Sequence, residues 1–247
     1  MNKIHLVMPM GGAGSRFFKN GFVMPKPLIE INGKPFFYWA TKSIANYAQT
    51  KDVTFVVLKE HISEFEIDKK IKEYFPDAKI FVIPKVLDGA VLTCMAGVEE
   101  MNDGLPIIFN DCDHAFLCSK FYSFCKDGDL SAYDGALLTF ESSDPKYSFL
   151  EMDKSGNVIR TVEKQAISNY AICGAYYFKN KSVFLESATK YLDKCQYSEY
   201  FVSGVYNVMA DENMKVANFT CDTHLSFGTP DEYFAAAGNP LFDILDK

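Results

Sequence analysis

Met8-Pro-Met-Gly-Gly-Ala-Gly-Ser-Arg16, followed by Pro25-Lys-Pro-Leu28, is the stretch on which the reading of this chain turns. A short, largely apolar run over 4–10 reads as a buried first strand, and three glycines follow it directly. Gly11, Gly12 and Gly14 allow a tight turn in which several backbone N–H groups, from Met10 to Ser15, converge on one point with no side chain in the way, which is how backbone cradles an anion. Arg16 adds a fork of donors and Lys26 a point charge. Prolines on both sides of Lys26 fix their own φ angles and bias the residues before them to extended geometry, which holds the ammonium in place. The plain alternative is a glycine-rich turn with two surface cations, and the glycine pattern alone does not separate the two.

Two familiar glycine loops are excluded by residue detail. A dinucleotide-binding fingerprint needs a third glycine where Gly12-Ala-Gly-Ser-Arg-Phe17 has phenylalanine, which argues against hydride transfer. A P-loop closes with Gly-Lys-Ser/Thr, whereas here the lysine follows in a separate Pro-Lys-Pro segment, which argues against ATPase and kinase chemistry.

Working outward, the pattern alternates: strands at 4–10, 53–58, 79–83, 106–109 and 135–140, with helices at 35–47, 64–75 and 90–101 between them. Such alternation predicts an α/β fold, a three-layer, mostly parallel Rossmann-like sheet whose ligands bind beyond the carboxyl ends of the strands, where the glycine loop lies. From Ser148 the pattern changes to short strands at 149–152 and 158–162, joined through Asp153-Lys-Ser-Gly156, a hairpin-like turn. This reads as a small antiparallel acceptor-binding subregion. Helices at 183–191 and 200–209 and a strand at 215–219 follow. No long linker or repeat interrupts the chain, so 1–247 is expected to be one domain, with roughly 1–140 binding nucleotide and 141–230 binding the acceptor.

Composition supports a compact enzyme, with 48% apolar and 23% charged residues in 247. The net charge of −7, with no compensating basic run, argues against nucleic acid as a partner. The seven cysteines show neither Cys-x-x-Cys spacing nor a partnering histidine cluster, so reduced thiols are expected. No signal-peptide pattern or membrane-length apolar run is present, which predicts a cytoplasmic protein with no membrane partner and leaves a homo-oligomer open.

The loop and Pro-Lys-Pro-Leu resemble the sugar-phosphate nucleotidylyltransferases. The resemblance continues through Asp88-Gly89-Ala90, Asn110-Asp-Cys-Asp113, Val162-Glu-Lys164, Ser168-Asn-Tyr-Ala171, Gly174-Ala-Tyr-Tyr-Phe178 and Gly228-Thr-Pro230, in the family's order and over residues 4 to about 234. A closer likeness is to the cytidylyltransferases of bacterial capsule assembly. The resemblance implies a nucleoside triphosphate bound by Met10, Gly11, Gly12, Gly14, Ser15, Arg16, Lys26, Asp88, Gly89 and Ala90, with catalysis by Arg16, Lys26 and Asp113. It implies a phosphomonoester acceptor held by Tyr147, Glu163, Lys164 and Gly174.

Transfer at phosphorus brings negatively charged oxygens together, and Mg²⁺, which takes carboxylate and phosphate oxygens, is the expected cofactor. Asp113 lies just past the strand at 106–109, and Asp111 faces the same side if the strand stays extended, so Asp113 and then Asp111 are the expected metal ligands. The family's second metal-binding Asp falls at Ser226 here, a poor substitute for a charged ligand. His114 and His224 are expected as neighbours rather than Mg²⁺ ligands. Ser148 stands where relatives carry glycine near the sugar, which narrows that space and weakens a hexose 1-phosphate reading. A thymidylyl- or uridylyltransferase acting on a hexose 1-phosphate, a catalytically silent nucleotide sensor and a structural relic of the fold are the rivals.

Overall fold

The computed structural model describes residues 2–247. Strand β1 (Ile4–Met10) runs straight into the glycine loop, which leads to the short helix α1 (Ser15–Lys19) and a single 3₁₀ turn, Lys26–Leu28. A minimal hairpin, β2 (Glu30–Ile31) with β3 (Lys34–Pro35), turns at Asn32 and Gly33, both at positive φ, and Pro35 starts α2 (Phe36–Ala45). Strand β4 (Thr50–Leu58), helices α3 (Lys59–Phe65) and α4 (Ile67–Tyr74), strand β5 (Lys79–Ile83) and helix α5 (Ala90–Gly97) complete the first half. Then come β6 (Ile107–Asn110), β7 (His114–Leu117), α6 (Ser119–Asp127), β8 (Gly135–Glu141), β9 (Ser148–Met152), β10 (Val158–Glu163) and β11 (Tyr170–Phe178). Helices α7 (Lys181–Lys194) and α8 (Val202–Asp211), strands β12 (Val216–Thr220) and β13 (Thr223–Ser226), and helices α9 (Pro230–Ala236) and α10 (Leu241–Leu245) finish the chain.

The sheet is mixed. Strands β5, β4, β1 and β6 are parallel in that order; β11 then runs antiparallel to β6 and pairs on its other side with β8, which β12 joins in parallel. Alternate residues explain the layers, because successive side chains in a strand face opposite ways. Leu6, Met8, Phe55, Val57, Ile108 and Tyr177 enter one core with α2 and α10, while Val7, Val56, Leu58, Phe109 and Phe178 enter a second core with α5, α7 and α8. With both faces covered, the central strands read as continuous apolar runs. This is a Rossmann-like α/β sandwich with antiparallel additions.

Strand β11 was legible only as a motif. Tyr170-Ala-Ile-Cys-Gly-Ala-Tyr-Tyr-Phe178 is nearly all buried and has no clear polar alternation, and a glycine interrupts it. At that glycine the sheet forks: Ala171 pairs with Phe149 of β9, whereas Ala175 pairs with Asn110 of β6. Gly174 adopts φ +97°, a conformation that side chains resist, and an added Cβ would lie 2.8 Å from Oδ2 of Asp111. The expected helix over 64–75 is two helices, because Glu66 at φ +51° breaks the run. The helix expected over 90–101 stops at Gly97, where close packing on Val7 and Val56 leaves no room for a Cβ.

Gly174→Ala is expected to destabilise the fold by about 2 kcal/mol or more, since it meets both backbone strain and a neighbour. Gly156→Ala, at φ +84° in open space, should cost about 1 kcal/mol, from strain alone. Urea unfolding of the two variants measures the contrast, and equal losses would remove the close approach at Gly174 from the account.

Candidate active site

The carboxyl edge of the parallel strands gathers the functional side chains. A cleft of about 540 Å³ is lined by Met10 to Ser15, Lys26, the Asp88-Gly89-Ala90 turn and the acidic pair Asp111 and Asp113. A second cleft of about 540 Å³ is lined by Tyr147, Ser148, Glu163, Lys164 and Gly174, and again by Asp111 and Asp113. The two meet at those carboxylates.

Lys26 starts the 3₁₀ turn Lys26–Leu28, between two prolines. Gly14, at φ +60°, brings the loop against it, with the position of an added Cβ only 3.3 Å from Cβ of Lys26. The Lys26 ammonium donates to Oδ2 of Asp113 at 3.0 Å. Asp113 is fixed from the other side as well, because its carbonyl accepts from the Phe227 amide at 2.9 Å. Gly228 approaches so closely that a Cβ there would lie 2.3 Å from Oδ2 of Asp113. The glycine of Gly228-Thr-Pro230 is therefore a space requirement of the acidic residue.

Burial alone would depress the Lys26 ammonium and raise the Asp113 carboxyl, but each charge holds the other, so Lys26 lies above its ordinary range and Asp113 below. Asp111 has no such partner. Burial, and then the like charge of Asp113, push it up to about 7. The strand ends at Asn110, so the two carboxylates face the same edge through a bend rather than through an extended strand; Cys112 between them turns into the core.

Arg16, the second residue of α1, lines the second cleft and is not among the residues lining the loop's cleft. Among the described residues it makes no ion pair. Lys164 lies at the end of β10 with φ +55°, an uncommon conformation for a residue with a side chain, held here as its backbone N–H donates to the Tyr147 carbonyl at 3.0 Å. Its ammonium rests 5.3 Å over the ring of Phe201. Oε1 of Glu163 accepts from the hydroxyls of Ser148, at 2.6 Å, and Ser203. The hydroxyl of Ser148, which lines the second cleft, is thus committed to the protein.

Lys146, Glu232, Ser198, Glu199 and Phe201 also line the clefts. Tyr147 donates to Glu232 of α9 at 2.7 Å, and Lys146 pairs with the same carboxylate at 3.0 Å. Hydrogen bonding by these groups lets Glu232 lie below its ordinary range despite burial. The segment 198–201 crosses between the clefts, clamped to the Asp88-Gly89 turn: the Tyr200 amide donates to the Asp88 carbonyl and the Val91 amide to the Tyr200 carbonyl, both at 3.1 Å. Gly89 makes this possible, since a Cβ would lie 2.3 Å from the Tyr200 nitrogen. No local spacing marks these residues; only the topology brings them in. His114 and His224 both line the second cleft, and His224 stacks on Phe140.

Among the described residues no three or more His, Cys, Asp and Glu side chains form a metal cage. Asp111 and Asp113 nevertheless form a hard-oxygen pair at one lip, with Asp111 raised by burial and then by the like charge of Asp113. That donor set fits Mg²⁺, which commonly takes one or two carboxylates and completes its shell with substrate phosphates and water.

A glycine loop and a lysine at the carboxyl edge of a Rossmann-like sheet, opening onto an acidic pair, define a class of protein that handles phosphate esters. The nucleotidyl transferase family model matches residues 6–239, and the chain belongs to that family, whose chemistry is the transfer of nucleotidyl groups. Its fold is similar to that of a nucleoside-diphosphate-sugar pyrophosphorylase from Vibrio cholerae RC9, with TM-score 0.78 and 22% identity over 95% of this chain and 100% of that one. It is also similar to the inositol-1-phosphate CTP transferase from T. maritima, with TM-score 0.76 and 15% identity over 100% and 96%. A UDP-glucose pyrophosphorylase complexed with UDP-glucose gives TM-score 0.72 and 17% identity over 96% and 97%. In sequence, 120 residues are 26% identical to the 2-C-methyl-D-erythritol 4-phosphate cytidylyltransferase of Clostridium perfringens (strain SM101 / Type A), a match over 49% of this chain and 51% of that protein. No helix among the described residues is long and apolar enough to cross a membrane.

The raised Asp111 carries a pH signature. Its folded value, about 7, lies above the unfolded value of about 3.9, so folding favours the protonated form and stability falls as pH rises between the two. In metal-free buffer, Asp111→Asn should therefore raise the Tm at pH 8 and leave it nearly unchanged at pH 4. Thermal unfolding at both pH values measures this, and a variant less stable than the parent at pH 8 would contradict the assigned environment.

Proposed function

We propose that this chain transfers CMP from CTP to a phosphomonoester acceptor and releases pyrophosphate, in the making of capsule or surface-polysaccharide precursors. The observation that carries the reading is the junction of two clefts at Asp111 and Asp113, one lined by the phosphate-cradling loop and Lys26 and the other by Lys164. The preference for CTP rests on the resemblance to capsule cytidylyltransferases, of which the CTP:phosphoglutamine cytidylyltransferase is one. Two similar proteins also carry CTP chemistry in their names. The chain works as one unit in the cytoplasm, with residues up to about 140 holding the nucleotide and 141–230 the acceptor.

In this mechanism the triphosphate lies along Met10 to Ser15, with the nucleoside between the loop and the Asp88-Gly89-Ala90 turn. The loop amides and Arg16 take the pyrophosphate, Arg16 by swinging from the second cleft toward the loop. Lys26 leaves Asp113 to span the reacting phosphates. Lys164 holds the acceptor phosphate and Glu163, with Tyr147 and Gly174, its body. The acceptor oxygen then attacks the α-phosphorus in line, forming the new P–O bond as the bond to pyrophosphate breaks. A phosphate monoester is already an anion near neutral pH, so the chain supplies no general base; positioning and charge neutralisation provide the catalysis. Asp113 with Asp111 would hold Mg²⁺, which when bound neutralises charge on the phosphate oxygens. Ser226 contributes no charge to this set.

The hexose 1-phosphate reading is disfavoured by Ser148, which occupies cleft space and is tied to Glu163 at 2.6 Å. A silent sensor fits the loss of a carboxylate at Ser226, but it gives no reason for the paired Lys26 and Asp113 or for Lys164 held at positive φ.

A screen of nucleoside triphosphates against phosphomonoesters, read as pyrophosphate release, tests the activity. In the best pair, Lys26→Ala should lower kcat by about 10²-fold or more and also lower Tm, because it leaves the Asp113 carboxylate without its partner; near-normal turnover at saturation would remove Lys26 from the mechanism. EDTA should abolish release and Mg²⁺ restore it. Asp113→Asn should then weaken Mg²⁺-supported turnover more than Ser226→Ala does, and equal effects would put the metal on the wrong carboxylate.

A further inference from the structure

Helix α5 brings one polar side chain to the loop's cleft that the mechanism leaves unused. Thr93, the fourth residue of the helix and only 4% exposed, lines that cleft beside Gly11. A hydroxyl within a helix commonly turns back to the carbonyl four residues earlier, as those of Thr41, Ser43 and Thr189 do here. Thr93 makes no hydrogen bond through its hydroxyl among the described residues and lines the cleft instead. It differs in this from Thr54 and Ser187, whose unpaired hydroxyls are sealed in the interior. A largely buried hydroxyl that opens on a cleft and has no protein partner is costly until something in the cleft meets it.

The surroundings indicate what does. A Cβ on Gly11 would lie 3.3 Å from Oγ1 of Thr93 and 2.5 Å from Cδ1 of Ile83, so the loop, α5 and the end of β5 close together at this point. Pro9, Val86, Leu87 and Ala90 add apolar surface to the same cleft, and Val86 keeps 45% of its surface exposed. The phosphate-binding charge lies elsewhere, because Lys26 is held on Asp113, where the second cleft begins. A closed end with apolar walls and one free hydroxyl suits a flat ring that has apolar faces and a polar edge. Resting on the nucleotide reading above, we propose that Thr93 reads the nucleobase, its hydroxyl bonding the inward polar edge of the cytosine ring while the ring faces lie on the apolar walls. A hydroxyl can both donate and accept, so the ring nitrogen and the exocyclic group of that edge can each satisfy it. A ligand with no such edge leaves it unpaired, which is how a site comes to prefer one ligand over another.

Isothermal titration of the whole protein with CTP and with inorganic tripolyphosphate, each with Mg²⁺, tests the assignment. Tripolyphosphate has the charge of the triphosphate and no base, so it reports on the loop alone. Thr93→Val keeps the shape of the side chain and removes the hydroxyl; it should weaken CTP about tenfold and change tripolyphosphate by less than about twofold. Thr93→Ser restores the hydroxyl and should hold CTP within about threefold of the parent. Equal losses for both ligands would overturn the proposal, because they mark a displaced loop rather than a lost contact. A Thr93→Ser as weak as Thr93→Val would overturn it too. A parent that binds no CTP sinks the nucleotide reading and this inference with it, whereas a parent that binds CTP beside an unaffected Thr93→Val sinks this inference alone.

Discussion

The Lys26 ammonium and the Asp113 carboxylate meet 3.0 Å apart on the line where two clefts join, and most of the edge is arranged around that contact. Taking two opposite charges partly out of water costs desolvation that only good geometry offsets. The geometry comes from distant parts of the chain: prolines fix the lysine, the Phe227 amide fixes the aspartate backbone, and Gly14 and Gly228 leave room on either side. An ion pair built with this much support is a poor device for stability alone. As the resting state of a site whose substrate is a polyanion it makes sense, because the arriving phosphate can replace the carboxylate as the partner of Lys26, leaving Asp113 for a cation.

The sheet explains how residues so far apart converge. Parallel strands β1 and β6 deliver the glycine loop and the acidic pair to one edge. The fork at Gly174, where β11 passes from β9 to β6, opens the space beside them and places the end of β10, with Lys164, across from the loop. The segment 198–201, clamped on Gly89, then ties the Asp88-Gly89 turn to Phe201 beneath Lys164. Packing and backbone hydrogen bonds therefore couple the two clefts.

Local chemistry was legible and long-range placement was not. Strands β1 and β5 were readable to the residue because short apolar runs ended in glycine or polar turns. The loop, Lys26, Asp111 and Asp113 follow from backbone freedom and charge, which act locally. Strand β11 was hidden because burial on both faces erases alternation, and the helix break at Glu66 has no glycine or proline to mark it. That Arg16 lines the second cleft is not legible from its spacing from the loop. Glu232, Lys146 and the 198–201 segment carry no motif; their neighbours are set by tertiary contacts alone.

The most direct measurement is a crystal structure with Mg²⁺ and a CTP analogue carrying a non-hydrolysable α,β-methylene bridge. The account predicts the triphosphate on the amides of Met10 to Ser15, the α-phosphate within reach of Lys26 and Asp113, and Lys26 released from its 3.0 Å contact with that carboxylate. A nucleotide bound elsewhere, or bound with the Lys26–Asp113 pair still closed, would contradict it.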